Sequence, residues 1–400
     1  MTRSRARTVM FVAVLGLVFT LAPFAIDLYL PALPTMAIGL NTSIDGIELS
    51  VAVFLLGFAL GQLLLGPVSD IYGRKRVLVL GISVFVPATV MIARTTSMEA
   101  LLFWRAIQAL GGGASVAVFP LVRDRFDDKA SAQIISYIMA LVLIAPVVAP
   151  LIGSYILTWF GWQAIFWVLA AIGALALIST FLAIEETSDR KDHATSTGVF
   201  SKFGRVLREP RIVFAILAGA SAFAGLFAFI SGAPYVYITY FGVSPEQFGF
   251  LMGANAAAMI LANIANARLL ADTQPVLKMI VGAVVMCLSV VFALAVAQLD
   301  LGLAPLVLSV AIFFGALALV ETNAILAALS VMPSENGTVS AINGALMFGV
   351  GAIASFAVGI LPSTDERPVL LVLMASAIAA LICACLLARK RVASSGLTAT

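Results

Sequence analysis

The sequence predicts an all-α integral membrane protein: twelve helices in two pseudo-symmetric bundles of six, with both termini in the cytoplasm. Three observations predict it. Of 400 residues, 62% are hydrophobic and only 11% charged, with mean hydropathy +1.11, which excludes a water-soluble globule. Apolar runs long enough to cross a bilayer recur along the whole chain, six and then six more. Lys and Arg gather on one side of those runs. The net charge of +3 is spread over short loops, so nucleic-acid binding has no support.

The first run, 9–33, follows Arg3, Arg5 and Arg7. It looks like a signal peptide but is too long, and no small-x-small cleavage pattern precedes Asp27, so it is read as the first span. Runs at 46–68, 77–94, 98–122, 131–158 and 162–184 complete an N-terminal six-helix bundle, residues 1–184. The stretch 185–211 is charged and lacks apolar periodicity, and it reads as a cytoplasmic linker in which His193, the single histidine, is a solvated loop residue. Runs at 212–238, 245–270, 276–298, 301–329, 336–361 and 368–388 form a C-terminal bundle with a short tail, residues 212–400. With the N-terminus inside, Arg94, Arg105 and Arg367 alone of 23 Lys and Arg residues lie off the cytoplasmic side. Cys287, Cys383 and Cys385 fall in apolar runs without metal or disulfide spacing and read as packing residues. No metal site is expected.

Between the second and third spans lies Gly66-Pro-Val-Ser-Asp70-Ile-Tyr-Gly73-Arg74-Lys75-Arg76. Gly66 and Pro67 are expected to end a helix, Gly73 to allow a tight reversal and the three basic residues to hold the turn in the cytoplasm. A weaker echo, Arg268-Leu-Leu-Ala-Asp272, occupies the equivalent place between spans eight and nine. Two sets of six with such an echo are what an internally duplicated transporter shows.

Charges kept inside hydrocarbon are functional candidates by default. Asp27 on span one and Arg105 on span four lie about 10 and 12 Å below the same outer boundary at a rise of about 1.5 Å per residue, so they are expected to share a polar cavity and pair. Burial favours a neutral carboxyl and a neighbouring guanidinium an ionised one, so an acid whose surroundings alternate can load and release a proton; the alternative is a static bridge that fixes packing. Glu321, on span ten, is a second intramembrane acid, about 12 Å from the cytoplasmic face. Asn323 beside it and Asn255 and Asn263 on span eight supply either cavity surface or interhelical bonds. Phe223, Phe227, Phe229, Tyr235 and Tyr237 crowd span seven, as a ligand pocket or as a lipid belt. Span five carries Pro146, Pro150 and Gly153, which bend it and allow close approach, and Gly111-Gly-Gly113 does the like on span four.

These motifs resemble, in order and over most of the chain, the Bcr/CflA branch of the major facilitator drug:proton antiporters. Asp27-Leu-Tyr-Leu-Pro-Ala-Leu-Pro34 is similar to that branch's span-one motif, Arg105-Ala-Ile-Gln108 with Gly111 to its R-x-x-Q-x-x-G, and Val122-Arg-Asp124 to its V-R-D. The 66–76 turn resembles the superfamily's signature loop, with Ile71 where a basic residue is usual, and Ala149-Pro150-x-x-Gly153-Ser154 the antiporter motif, with Ala145, Ala149 and Ser154 where glycines are usual. Phe160-Gly-Trp162-Gln-Ala-Ile-Phe166 and Phe229-Ile-Ser-Gly-Ala-Pro-Tyr235 complete the likeness.

The resemblance implies a twelve-helix major facilitator fold and export of phenicol- or bicyclomycin-like amphiphiles against protons across a bacterial inner membrane. Asp27, Arg105 and Glu321 would couple protons, and Asp27, Tyr29, Arg105, Gln108, Phe223, Phe227, Tyr235, Asn255, Glu321 and Asn323 would meet substrate. Gly66, Asp70, Gly73, Arg74 and Asp124 would form a conformational latch. Glu321 stands where a small polar residue is expected. The implied partners are a small drug, protons and lipid; the proton gradient replaces any cofactor, and a monomer suffices. The alternative is a major facilitator moving an amino acid, dipeptide or sugar. A membrane enzyme would need a catalytic cluster, and neither H-E-x-x-H nor a nucleophile beside a base occurs; nor does G-x-x-x-x-G-K-[ST], which argues against ATP drive. A scaffold would leave Asp27, Arg105 and Glu321 without purpose.

Overall fold

The computed structural model describes residues 2–186, 203–270, 272–332, 335–362 and 365–396. The expectations for 187–202, His193 among them, lie outside the described residues. Twelve segments among the described residues are helices long and apolar enough to cross a membrane. The first is broken: α1 (Thr2–Asp27), a 3-10 turn (Leu30–Ala32) and α2 (Leu33–Gly39). Then come α3 (Ile44–Tyr72), α4 (Arg74–Ala93), a fourth span made of α5 (Met98–Gly112), a 3-10 turn (Gly113–Ala117) and α6 (Val118–Arg125), α7 (Asp128–Phe160) and α8 (Trp162–Ala183). A short α9 (203–207) precedes α10 (Pro210–Pro234), which runs on as a π turn (Tyr235–Tyr240). The last spans are α11 (Pro245–Arg268), α12 (Pro275–Gln298), α13 (Leu303–Leu329), α14 (Asn336–Ile360) and α15 (Arg367–Gly396).

Side-chain caps start several helices: Ser43 accepts from Gly46 N, Ser97 from Ala100 N and Asp127 from Ala130 N. Each satisfies an N–H that the first helical turn leaves free. The second span does not end where the sequence suggested. Helix α3 continues through Gly66 and Pro67 to Tyr72, because Pro removes only the bond to the Leu63 carbonyl without ending a helix that its neighbours hold; one turn on, Ser69 Oγ donates to the Gly66 carbonyl at 2.7 Å. The reversal falls to Gly73 alone, at φ 104°, a conformation that residues with a Cβ seldom adopt. Likewise α7 runs unbroken through Pro146 and Pro150.

The chain divides into two compact units, Met1–His193 with Ser244–Gly253 and Ala194–Val243 with Ala254–Thr400. In the first, span one packs on spans five and six, span three on four and six, and span two on four. In the second, span seven packs on eleven and twelve, and span nine on ten and twelve. Four of these pairings repeat six spans on, while the broad packing of span two on span four has no counterpart of like extent between spans eight and ten.

With lipid outside and no water to expel, such pairs depend on close van der Waals approach and polar bonds. In the first unit small residues provide the approach: a Cβ at Gly61 would stand 2.6 Å from the Leu110 carbonyl oxygen, and one at Gly111 2.8 Å from Phe85 N. In the second unit Val206 of α9 is fully buried with Ile212, Met279, Val339 and Leu387, while Arg205 reaches Glu335 at 3.6 Å. The span eight–nine turn departs from its expected likeness to 66–76. Among the described residues no ion pair joins Arg268 and Asp272; Lys278 Nζ donates instead to the Leu270 carbonyl at 3.1 Å.

Candidate functional site

The site is built on the break in span one. Pro31 and Pro34 lack the N–H groups that would continue α1, and the residue before a proline avoids the α conformation. Helix α1 therefore stops at Asp27, and the carbonyls of its last turn lose their partners. Arg105 takes one of them, donating from Nη1 to the Ala25 oxygen at 3.0 Å. Its positive charge then sits at the negative end of the helix dipole.

The rest of the Arg105 environment follows from spacing. Arg105 and Gln108 are three apart on α5, hence on one face, and Nη1 also donates to Gln108 Oε1 at 2.7 Å. Gln108 Nε2 donates to Thr89 Oγ1 at 2.8 Å, and Thr89 donates to the Phe85 carbonyl at 2.7 Å, so the chain of bonds ends on the backbone of α4. All three side chains are fully buried. The guanidinium carbon lies 4.4 Å from the ring centres of both Tyr29 and Phe54. Desolvated cation–π contacts of this kind are worth about 2 kcal/mol. Tyr29 is held in turn by a 2.9 Å hydroxyl contact with Ser50.

The expected Asp27–Arg105 pair is not formed: no ion pair joins them, and Asp27, buried, has no hydrogen-bond or ion-pair partner among the described residues. The physical reason is the break itself, which gives Arg105 a closer acceptor two residues earlier on the same helix. Arg105 Nε and Nη2 remain buried without an acceptor. A buried cation thus keeps open donors, and the acid beside its anchoring carbonyl keeps an open acceptor. On the far side of the break Gly153 of α7 packs so closely that a Cβ there would overlap the Leu28 carbonyl. Pro146 is half-buried and Pro150 buried on the same helix, and Ser154 donates to the Pro150 carbonyl at 2.8 Å.

In the second unit the polar residues lie along α11 and α13. Asn323 is buried and donates to Asn266 Oδ1 at 3.2 Å and to the Leu319 carbonyl at 2.8 Å, while Thr322 donates to Asn263 Oδ1 at 2.8 Å. Two of the expected amides therefore bridge helices. Asn255 is apart from them, buried beside the Tyr237 hydroxyl. Glu321 is half-buried without a hydrogen-bond or ion-pair partner among the described residues, its Cα 4.0 Å from where a Cβ on Gly219 would lie. Phe223 and Phe227 meet edge to face at 5.1 Å and both face Phe348, at 5.8 and 6.0 Å. Phe227, Phe229 and Tyr237 are buried, which removes them from a lipid belt. Tyr235 opens the π turn, half-buried.

The 66–76 turn assembles as a charge cluster. Arg74 Nε meets Asp124 Oδ2 at 2.6 Å, and its Nη2 meets Asp70 Oδ1 at 3.3 Å. Gly66 stands a turn before Asp70 on α3, with Val116 3.9 Å from where its Cβ would be. A residue that the sequence did not single out completes it. Glu186, just past α8, accepts from the backbone N–H groups of Lys75 at 3.3 Å and Arg76 at 3.1 Å, capping α4 from more than a hundred residues away. It needs Gly73, since a Cβ there would sit 2.7 Å from its carboxyl carbon. Lys75 Nζ adds a bond to the Phe181 carbonyl at 3.0 Å. Replacing Glu186 by Ala removes a cap and its charge–dipole interaction and should cost about 1 kcal/mol. Thermal unfolding of the purified protein in detergent reads this, and an unchanged midpoint would contradict the capping role.

Sequence reasoning missed Thr89, Ser50, Phe54, Thr322, Asn266 and Phe348 as partners. Only Ser50 and Phe54 carried a signal, an i, i+4 pair on one face of span two. It also missed Glu48, an acid within an apolar run, whose signal was plain: the run was taken to begin only two residues earlier.

Comparison with known proteins gives a consistent answer. The family model described as Major Facilitator Superfamily matches residues 15–356. A bicyclomycin resistance protein homolog of Haemophilus influenzae is 30% identical over 392 residues, 97% of this chain and 98% of that protein. Multidrug resistance protein MdtL of Escherichia coli is 29% identical over 273 residues, 66% of this chain and 67% of its own. Among solved structures, a bacterial homolog of the human lysosomal transporter Spinster matches with TM-score 0.75 at 16% identity, over 95% of this chain and 96% of that one. A D-xylose-proton symporter matches with TM-score 0.72 at 17% identity, again over 95% and 96%. At those identities the structural likeness establishes the fold.

Proposed function

Since the chain belongs to the Major Facilitator Superfamily and fits its Bcr/CflA branch, and is a transporter rather than an enzyme, we propose that it exports small amphiphilic drugs in exchange for protons by alternating access. Phenicol- and bicyclomycin-like compounds are the first candidates, the latter in keeping with the bicyclomycin resistance protein homolog it resembles. The setting is a bacterial inner membrane with both termini in the cytoplasm, the side on which Lys and Arg gather. The driving force is the proton gradient, with no cofactor, and one chain supplies both six-helix bundles, so a monomer suffices.

The observation that carries the reading is the mismatch at the break: Arg105 has two N–H groups without acceptors, and Asp27 has no partner. An ionised carboxylate cannot remain in such surroundings without a partner. When Asp27 gives up its proton, the open face of Arg105 is the partner within its own unit; when it regains the proton, Arg105 is left to the Ala25 carbonyl, Gln108 Oε1 and the two rings. A substrate polar group that reaches the same donors competes with the Asp27 carboxylate, and that competition couples drug to proton. Tyr29 and Gln108 hold the guanidinium in place. In the second unit the Phe223, Phe227 and Phe348 rings and Tyr235 offer apolar surface, Asn255 and Asn323 hydrogen bonds, and Glu321 a carboxyl suited to cationic compounds or a proton. The Asp70–Arg74–Asp124 cluster is the latch of the cytoplasmic side.

The test compares wild type with Asp27→Asn in inside-out vesicles holding an imposed proton gradient, with phenicols and cationic dyes added. A drug should collapse the gradient in wild type and leave it intact in Asp27→Asn, while downhill drug exchange persists. Unchanged proton movement in Asp27→Asn would defeat the role of Asp27. If metabolites but no drugs collapse the gradient, the protein is a metabolite transporter.

A further inference from the structure

One turn into α3 stands Glu48, a carboxyl with no part in the scheme above. It is fully buried, and both Oε1 and Oε2 lack a hydrogen-bond partner. The burial boundary falls at this residue: Ile44, Asp45 and Gly46 are half-exposed, while Ile47, Glu48 and Ser50 are buried. The helical repeat places Glu48 on a stripe with Ala52, Leu55 and Ala59, all buried, opposite the face on which Gly57 and Gly61 pack against α5. Asp45, three residues earlier, lies on the same face one turn nearer the helix end.

The remaining charges around this end of α3 are few. Helix α2 has no titratable side chain, Glu99 in the first turn of α5 is exposed, Arg105 of α5 is turned to Tyr29 and Phe54, and Arg94 at the end of α4 stands over the Trp167 ring. No cation is therefore directed at Glu48. An ionised carboxylate sealed from water and without a donor costs several kcal/mol, so a charge at Glu48 calls for water or a partner. Two residues on, Ser50 joins the Tyr29 hydroxyl from the other face of α3, so Glu48 stands apart from the layer that holds Arg105.

Resting on the antiport reading, we propose that Glu48 is a second proton-carrying carboxyl of the cycle. It takes one proton from the outer aqueous phase past Asp45 and gives one up when its stripe of α3 is wetted. No bond to the drug is made or broken; each turnover moves a proton on and off one carboxyl oxygen.

The test uses the purified full chain in proteoliposomes with a trapped pH dye, and measures protons moved per molecule of chloramphenicol or bicyclomycin. Glu48→Gln keeps shape and removes the titrating group; Glu48→Asp keeps the group. The expected result is one proton fewer per drug in Glu48→Gln, with the wild-type ratio retained in Glu48→Asp. A wild-type ratio in Glu48→Gln overturns the proposal, as does slower transport with a lowered unfolding temperature and an unchanged ratio, which marks a packing residue. Failure of wild type itself to move protons with any drug overturns the antiport reading as well, so the two failures are told apart in the wild-type trace.

Discussion

Arg105→Ala is expected to abolish coupled drug export and to destabilise the first unit. The substitution strands two buried acceptors, the Ala25 carbonyl and Gln108 Oε1, at about 1–3 kcal/mol each. It also opens a gap between the Tyr29 and Phe54 rings and forfeits about 2 kcal/mol of cation–π attraction. Helix α1 loses the cation at its C-terminal end just where Asp27 sits. Arg105→Lys separates charge from geometry: an ammonium restores the charge, but it cannot lie flat between two rings while reaching a carbonyl and an amide with a rigid fork. Lys should therefore recover part of the stability and little of the coupling. Drug-driven proton flux in vesicles and the unfolding midpoint in detergent report the two effects separately. Coupled export by Arg105→Lys at the wild-type rate would refute a role for the guanidinium fork.

Gly153→Ala is expected to be nearly as damaging, although alanine is the better helix former by about 1 kcal/mol. Its methyl would overlap the Leu28 carbonyl oxygen and lie 2.8 Å from the carbonyl carbon. Backbone cannot rotate aside as a side chain does, so α7 must move off the break that positions Asp27. Overpacking of this kind costs about 1–3 kcal/mol, and the displacement should suppress transport by more than the loss of stability explains. Gly253→Ala is the control, because a Cβ there meets Val147 at an ordinary 3.6 Å, and that variant should unfold no earlier and transport as wild type does. If both variants behave alike, close approach at residue 153 is not what matters.

The twelve spans were legible because a chain in lipid must satisfy its backbone within each helix, so composition and run length decide nearly everything. Segment ends were less so. Pro67 read as a stop because in water it usually is one, whereas neighbouring helices hold α3 together past it. The burial of Asp27 and Arg105 was legible from the runs that contain them, but their partners were not. Pro31 and Pro34 announce a break, yet only the folded chain shows that the break frees an acceptor which outcompetes Asp27 for Arg105. Glu186 could not have been identified as a cap, since nothing local links residues 75 and 186. The amides of spans eight and ten carried two readings into the structure, and for Asn263 and Asn323 the bonds to Thr322 and Asn266 give the interhelical one a geometry.

Four helix pairings recur from one unit to the other, but the residues at the contacts differ. Span two meets span four through glycines against bare backbone, whereas span ten meets span eight through hydroxyl and amide bonds. Descent from one duplicated ancestor can preserve which helices touch while leaving each copy free to replace the residues at the contact. An origin of that kind would be recorded in the pairing rather than in the letters, of which the two halves share little beyond a turn of five residues.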